Sequence, residues 1–181
     1  MLKFALTLFC SMHFYNENLE WDNPGEGIPY RQTAIGAMMK ELYDEGLIDG
    51  IGAQMHIDRY YRETSSDGKS RSNLTDLFTF LKEMAQYGLQ VHISELDVRT
   101  GVAYTELTPD DLNIQAAQFE KVVKFYMDYI PSNKRFGITF WGVTDKYSTY
   151  RASKQDSPLP LDDNYTAKKC YYSMRDYLKN R

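Results

Sequence analysis

One pattern constrains this sequence more than any other. A short apolar run, then an amphipathic helical segment, recurs four times along the chain. Residues Phe9 to Asn16 read as a first strand, Ile48 to Ile57 as a second, Leu89 to Val98 as a third and Phe136 to Val143 as a fourth. Between them, Ile35, Met38, Met39 and Leu42, and then Leu74, Leu77, Phe78, Leu81 and Met84, recur at three- and four-residue spacing. That is the period of a helix with one buried face. A strand joined to the next through a helix returns in the same direction, so the repeat builds a parallel sheet with helices packed outside it.

The ends of the helical segments carry their own signals. Gly46 and Gly88 stand where a helix stop is expected. Thr108-Pro109-Asp110-Asp111 offers a capping hydroxyl, a proline for the first helical position and acids for the first turn, so a helix should run from there to about Tyr129. After a long loop from Thr144 to Asn164, a last helix is expected over Tyr165 to Leu178. The stretches Trp21 to Gly27 and Ser65 to Lys69 read as loops. The start, Met1 to Ser11, pairs one lysine with a short apolar run as a secretory segment would. It leads directly into Met12-His13-Phe14-Tyr15, however, and is read as the approach to the first strand. No segment reaches the ~18 apolar residues that a membrane span needs.

Length now matters. The chain has 181 residues, whereas a closed barrel of eight strand–helix units usually takes ~250. Four units fit where eight would not. A formal net charge of −4 with mixed signs gives no basic stripe for nucleic acid. The 15 tyrosines suit sugar or protein contacts, since each offers a flat apolar face and a polar tip. Cys10 and Cys170, at opposite ends, make neither a metal-ligand spacing nor a disulfide framework, and read as a buried strand residue and a helix residue.

In a parallel sheet, ligands meet the carboxyl ends of the strands. Gln54 and His56, two apart in the second strand, should point to one side, and in the third strand Val91, Ile93, Glu95 and Asp97 should share a side. A lone strand-end histidine is more often structural than catalytic. Two acids with a His and a Gln beside them point to a site, because charges seldom enter a parallel strand unpaired. The three histidines, His13, His56 and His92, include no pair separated by one residue, and there is no phosphate loop or serine elbow. No metal and no cofactor is expected.

These residues carry a resemblance. Ile51 to Ile57, Val91 to Val98 and Gly137 to Ser148 resemble, in order and spacing, the sixth, seventh and eighth strands of glycoside hydrolase family 10, whose members are mostly endo-1,4-β-xylanases on a β/α barrel. Phe14 to Glu20 resembles the fifth-strand motif, and Pro158 to Asp162 with Tyr165, Lys168 and Lys169 resembles the closing segment. The resemblance implies an α/β fold made of the C-terminal half, strands five to eight with their helices, of a TIM (β/α)8 barrel, with residues 1–181 forming a partial catalytic domain. It implies Glu95 as the nucleophile of a retaining double displacement, with His56 and Asp97 orienting it. Gln54, Trp141, Asn16 and Tyr15 would contact substrate, Trp141 as an aromatic platform.

The resemblance has two gaps. The family usually places a second tryptophan where this chain has Thr149, followed by Tyr150. Its acid/base glutamate lies in an Asn-Glu pair on the fourth strand; Asn16-Glu17 imitates that pair, but its spacing to His56 fits the fifth strand. The parent activity implied is hydrolysis of xylan or xylo-oligosaccharides, in a secreted or periplasmic setting, with the isolated chain inactive for want of a proton donor. A homodimer or a complementing N-terminal half would supply the missing sheet neighbours, with no nucleic acid or membrane partner. Two alternatives stay open: a non-catalytic homologue that binds glycans, and a retaining glycosidase acting on β-glucan.

Overall fold

The computed structural model describes residues 12–19, 31–61 and 73–181. The expected strand start at Phe9, the buried setting of Cys10, the segment Met1 to Ser11 and the loops Trp21 to Gly27 and Ser65 to Lys69 lie outside those residues. The elements are, in chain order, β1 (Phe14–Glu17), α1 (Arg31–Asp44), β2 (Gly50–Ala53), β3 (His56–Asp58), α2 (Leu74–Tyr87), β4 (Gln90–Arg99), α3 (Pro109–Tyr129), β5 (Arg135–Phe140), α4 (Thr149–Lys154) and α5 (Lys169–Lys179).

All strand pairs are parallel: β1 with β2, β2 with β4, β4 with β5, and β3 with the C-terminal half of β4. The α/β reading of the sequence is thus observed. Outward-facing Ile51, Ala53, Val91, Ile93, Leu96 and Val98 bury against Leu77, Phe78, Leu81 and Met84 of α2 and Phe119 and Val122 of α3. Each fully buried aliphatic or aromatic side chain of this kind contributes about 1.5–3 kcal/mol. The other face of the sheet is open. Phe14, His92 and Phe136 form a ring cluster there, with Phe14 and Phe136 centroids 4.6 Å apart and Phe136 half exposed.

The helix ends follow the sequence. Asn73 caps α2 by accepting from Asp76 N–H at 2.9 Å. Thr108 caps α3 in a reciprocal box: its hydroxyl accepts from Asp111 N–H, and the Asp111 carboxylate accepts from Thr108 N–H. Gly46 and Gly88 both hold positive φ (70° and 137°), which lets the chain turn off α1 and α2.

Four expectations are corrected. The second strand is not continuous; Met55, at φ 71°, separates β2 from β3. The long loop after the fourth strand contains α4. The last helix begins at Lys169 rather than Tyr165, because Leu161 bridges both Thr144 and Ala167 and the residues between 161 and 167 form a turn in which Tyr165 takes φ 63°. Finally, the side-chain parity of β4 changes midway. Ile93 and Leu96 are both buried in the core though three residues apart, and the pairing with β5 shifts between them. Two consecutive residues, Ser94 and Glu95, therefore sit on the open side, as a bulge requires. Val91 and Ile93 do not share a face with Glu95; His92, on the open face, does.

Candidate active site

Glu95 and Asp97 reach the same place by different routes. The bulge turns Glu95 to the open side of β4, and ordinary alternation beyond it brings Asp97 to that side too. Across from them, the positive φ of Met55 redirects the chain so that β3 starts at His56, in register with Asp97. His56 Nδ1 lies 3.0 Å from Asp97 Oδ2, and Nε2 lies 3.1 Å from Glu95 Oε2.

This geometry fixes the proton count. A neutral imidazole donates through one nitrogen only. Both nitrogens here face carboxylate oxygens, so the trio is satisfied only with an extra proton, on the ring or on a carboxyl. Asp97 is wholly buried, and its Oδ1 has no hydrogen-bond partner. Burial pushes its carboxyl above the ordinary value, while the hydrogen bond and charge of His56 and the charge of Arg99 pull it back.

Asn16 completes the constraint on Glu95. Its Nδ2 donates to Glu95 Oε1 at 2.7 Å, and its Oδ1 accepts from Ser94 Oγ at 2.5 Å. The amide must cross the intervening β2 to do so, and Gly52 clears its path: a Cβ there would come within 2.7 Å of Asn16 Oδ1. Both oxygens of Glu95 are held, and its side chain is 15% exposed, as is that of His56. The carboxylate is fixed in orientation yet reachable from the open face.

Aromatic surface borders the trio. Trp141 follows β5 directly, its backbone N–H donating to Leu96 O at 3.1 Å, and its ring stands edge-on to His56 with centroids 5.8 Å apart. Nearly half of Trp141 is exposed. Tyr150 of α4 presents a second ring 6.5 Å from His56. Beneath them, the buried Lys168 Nζ donates to Asp145 Oδ2 at 2.9 Å and to Ser157 O at 2.7 Å, and Asp145 Oδ1 accepts from Leu159 N–H. These bonds tie the closing segment to the end of β5.

The structure thus brings together His56, Glu95, Asp97, Asn16 and Trp141. Gln54 joins through its backbone: its N–H donates to Glu17 O, and its carbonyl accepts from Glu95 N–H. Because β2 ends at Ala53, the expected alignment of Gln54 with His56 along one strand does not hold. Tyr15 lies elsewhere. It alternates to the helix side of β1, packs against the core and donates its hydroxyl to Glu17 Oε2 at 3.4 Å. Glu17 turns the same way and accepts from Asn18 N–H. Sequence reasoning missed Ser94, whose role depends on the bulge, and met Tyr150 only as a departure from a family pattern.

The model of glycosyl hydrolase family 10 matches residues 14–177. A putative endo-1,4-beta-xylanase from Caldicellulosiruptor saccharolyticus is 31% identical over 150 residues, covering 81% of this chain and 46% of that protein. Among solved structures, xylanase 10B from Thermotoga petrophila in complex with xylobiose superposes with a TM-score of 0.73 at 30% identity, covering 92% of this chain and 46% of that one. A mutant xylanase 10C from Cellvibrio japonicus in complex with xylopentaose gives 0.76 at 28% identity, covering 93% and 34%. The chain spans less than half the length of each of these three relatives.

Proposed function

The chain belongs to glycosyl hydrolase family 10, and from that premise we propose that it is the strand-five-to-eight portion of a β/α-barrel endo-1,4-β-xylanase, carrying the nucleophile of a retaining mechanism. The single observation that carries this reading is the bridge of His56 between Glu95 and Asp97. It is supported by Asn16 on the other oxygen of Glu95.

In the first half-reaction, a Glu95 oxygen bonds to the anomeric carbon as the glycosidic C–O bond breaks; in the second, water displaces Glu95. His56 holds Glu95 by one oxygen and Asn16 by the other, so the nucleophile enters without having to reorient. Asp97 holds the far side of the imidazole. Trp141 offers its exposed ring to a sugar, and Gln54 lines the same end of the sheet. Tyr15, on the helix side of β1, is assigned to packing.

The reaction also needs an acid to protonate the leaving oxygen, ~5–5.5 Å from the nucleophile. Glu17 turns to the face opposite Asn16, so we assign it no such role, and the donor belongs to the barrel strands that this chain does not span. Alone, the chain should barely attack xylan. A substrate whose leaving group needs no protonation tests the nucleophile separately. With 2-deoxy-2-fluoro-β-xylobiosyl fluoride, mass spectrometry should find one glycosyl adduct on the Glu95 peptide and none in Glu95→Gln. An adduct on Glu17, or ordinary turnover of xylan by the purified chain, would overturn the reading.

A further inference from the structure

The pairing of β4 with β5 shifts twice. Val91 pairs with Arg135 but His92 with Gly137, which leaves Phe136 without a partner on β4. Ile93 pairs with Ile138 but Leu96 with Phe140, which sets Ser94 and Glu95 together against Thr139. One residue is inserted in β5 and then one in β4, so the pairing at Leu96 returns to the register it had at Val91. The side chains agree. Phe136 and Thr139 both meet His92 on the open face, the first through its ring and the second through a hydroxyl 2.8 Å from Nε2.

The first bulge is filled from α3. Tyr126, only 3% exposed, donates its hydroxyl to Val91 O at 2.9 Å and accepts from Gly137 N–H at 2.9 Å. One side chain thus satisfies a backbone group of each strand at the step where their pairing shifts. Burial pushes the phenol up to about 12, so it keeps the proton it gives to Val91 O at any ordinary pH. The residue before the insertion is tied to the end of the same helix, because the Arg135 guanidinium donates to Ile130 O and Met127 O.

We propose that Tyr126 is a positioning residue for Glu95: its hydroxyl holds the β5 bulge, and that bulge makes the one in β4 necessary. Ile93, Leu96 and Val98 are buried against the helices, and Ile138 and Phe140 pack on the same core. With Phe136 drawn back into the ladder, regular pairing would run on through Ser94 and Glu95. Unbroken alternation from Ile93 would then turn Glu95 to the helix side. The bulge that re-aims Glu95 persists because its counterpart in β5 does. That Glu95 is a nucleophile rests on the function proposed above; that its orientation depends on Tyr126 does not.

Tyr126→Phe keeps the ring and removes the hydroxyl. Amide exchange followed by NMR on the full chain should find Gly137 N–H of the wild type protected as strongly as the ladder amides of β4. In the variant, the Gly137, Glu95 and Trp141 amides should exchange about tenfold faster while those of α2 keep their wild-type rates. Thr108→Ala, which weakens the other end of α3, should leave Glu95 exchange unchanged. With 2-deoxy-2-fluoro-β-xylobiosyl fluoride, the rate constant for labelling Glu95 should fall about tenfold in Tyr126→Phe, with the half-saturating concentration nearly constant. The proposal is overturned by rapid Gly137 exchange in the wild type, or by Glu95 exchange that is unchanged in Tyr126→Phe or equally fast in Thr108→Ala. A labelling loss that lies wholly in the half-saturating concentration overturns it too. If the exchange results hold but the wild type takes no label, the positioning of Glu95 stands and the xylanase reading falls.

Discussion

A single imidazole is asked to serve two carboxylates, and this makes His56 the most consequential residue in the molecule. Removing it as His56→Leu would leave Asp97 buried with neither oxygen bonded by a side chain, a change expected to cost on the order of 3 kcal/mol. Adding Asp97→Leu should recover much of that loss, since the uncompensated acid is then gone. Urea denaturation of the two singles and the double measures the coupling, and additive costs would show that the bond contributes little. His92 gives a second, independent prediction. Burial lowers its pKa from the ordinary 6.5. The unfolded chain then binds more protons than the folded one just below that pH, so stability should fall as pH drops from about 6.5 towards the folded-state value. His92→Gln should flatten that slope in urea melts between pH 5 and 7. At this scale the sequence was legible where charge stood in an unlikely place. Glu95, Asp97 and His56 announced themselves as polar groups at strand ends, and all three meet. The Ser94–Asn16–Glu95 chain did not, because two adjacent residues face one side only across a bulge, and nothing in the local composition marks one.

Helix boundaries were legible for a physical reason: caps are made by side chains next to the backbone groups they satisfy. Thr108, Asp111, Gly46 and Gly88 all act within a few residues of their own position. Strand interruptions are different. The run from Ile48 to Ile57 contains no proline, and no glycine at the break, which falls at Gln54 and Met55. The interruption exists because β3 must follow β4 past the bulge, which is a tertiary demand. The start of α5 was missed for a related reason, since Leu161 is held by a bridge to Thr144, 17 residues earlier in the chain, as well as by one to Ala167. The cap of α3 is therefore the element-scale feature with the cleanest test. Thr108→Ala removes a hydroxyl that accepts from Asp111 N–H and donates to its carboxylate. Loss of such a cap costs about 1 kcal/mol. It should also loosen Arg59, whose ion-pair partner is Asp111. A thermal melt should show the stability loss with helix content unchanged, and Thr108→Ser should restore it. A loss below a few tenths of a kcal/mol would mean that Arg59 and the Thr108 backbone N–H hold Asp111 without the hydroxyl.

The whole molecule has two unlike faces. Helices cover one side of the sheet, whereas the other side exposes half of Phe136, next to the half-buried rings of Phe14 and His92. A parallel sheet is ordinarily covered on both sides, and β1 and β5 end it with unpaired edges among the described strands. A barrel would solve both problems at once, by closing the edges and filling the interior with the side chains of further strands. Without those strands, the cheapest cover of the right shape is another copy of the same face, because a two-fold axis sets Phe136 against its own equivalent. The chain should therefore self-associate. Sedimentation at micromolar concentration should give a dimer that dissociates on dilution. Placing a charge at the centre of the patch, Phe136→Lys, should weaken it by roughly tenfold or more, equivalent to about 1.4 kcal/mol. The same substitution should leave the urea midpoint of the dilute monomer nearly unchanged, because Phe136 packs only on the open face and not in the helix-covered core. A monodisperse monomer at every concentration would mean that the ring cluster is stable in water as it stands. A dimer indifferent to Phe136→Lys would place the contact elsewhere, on the edges of β1 and β5 or along α5.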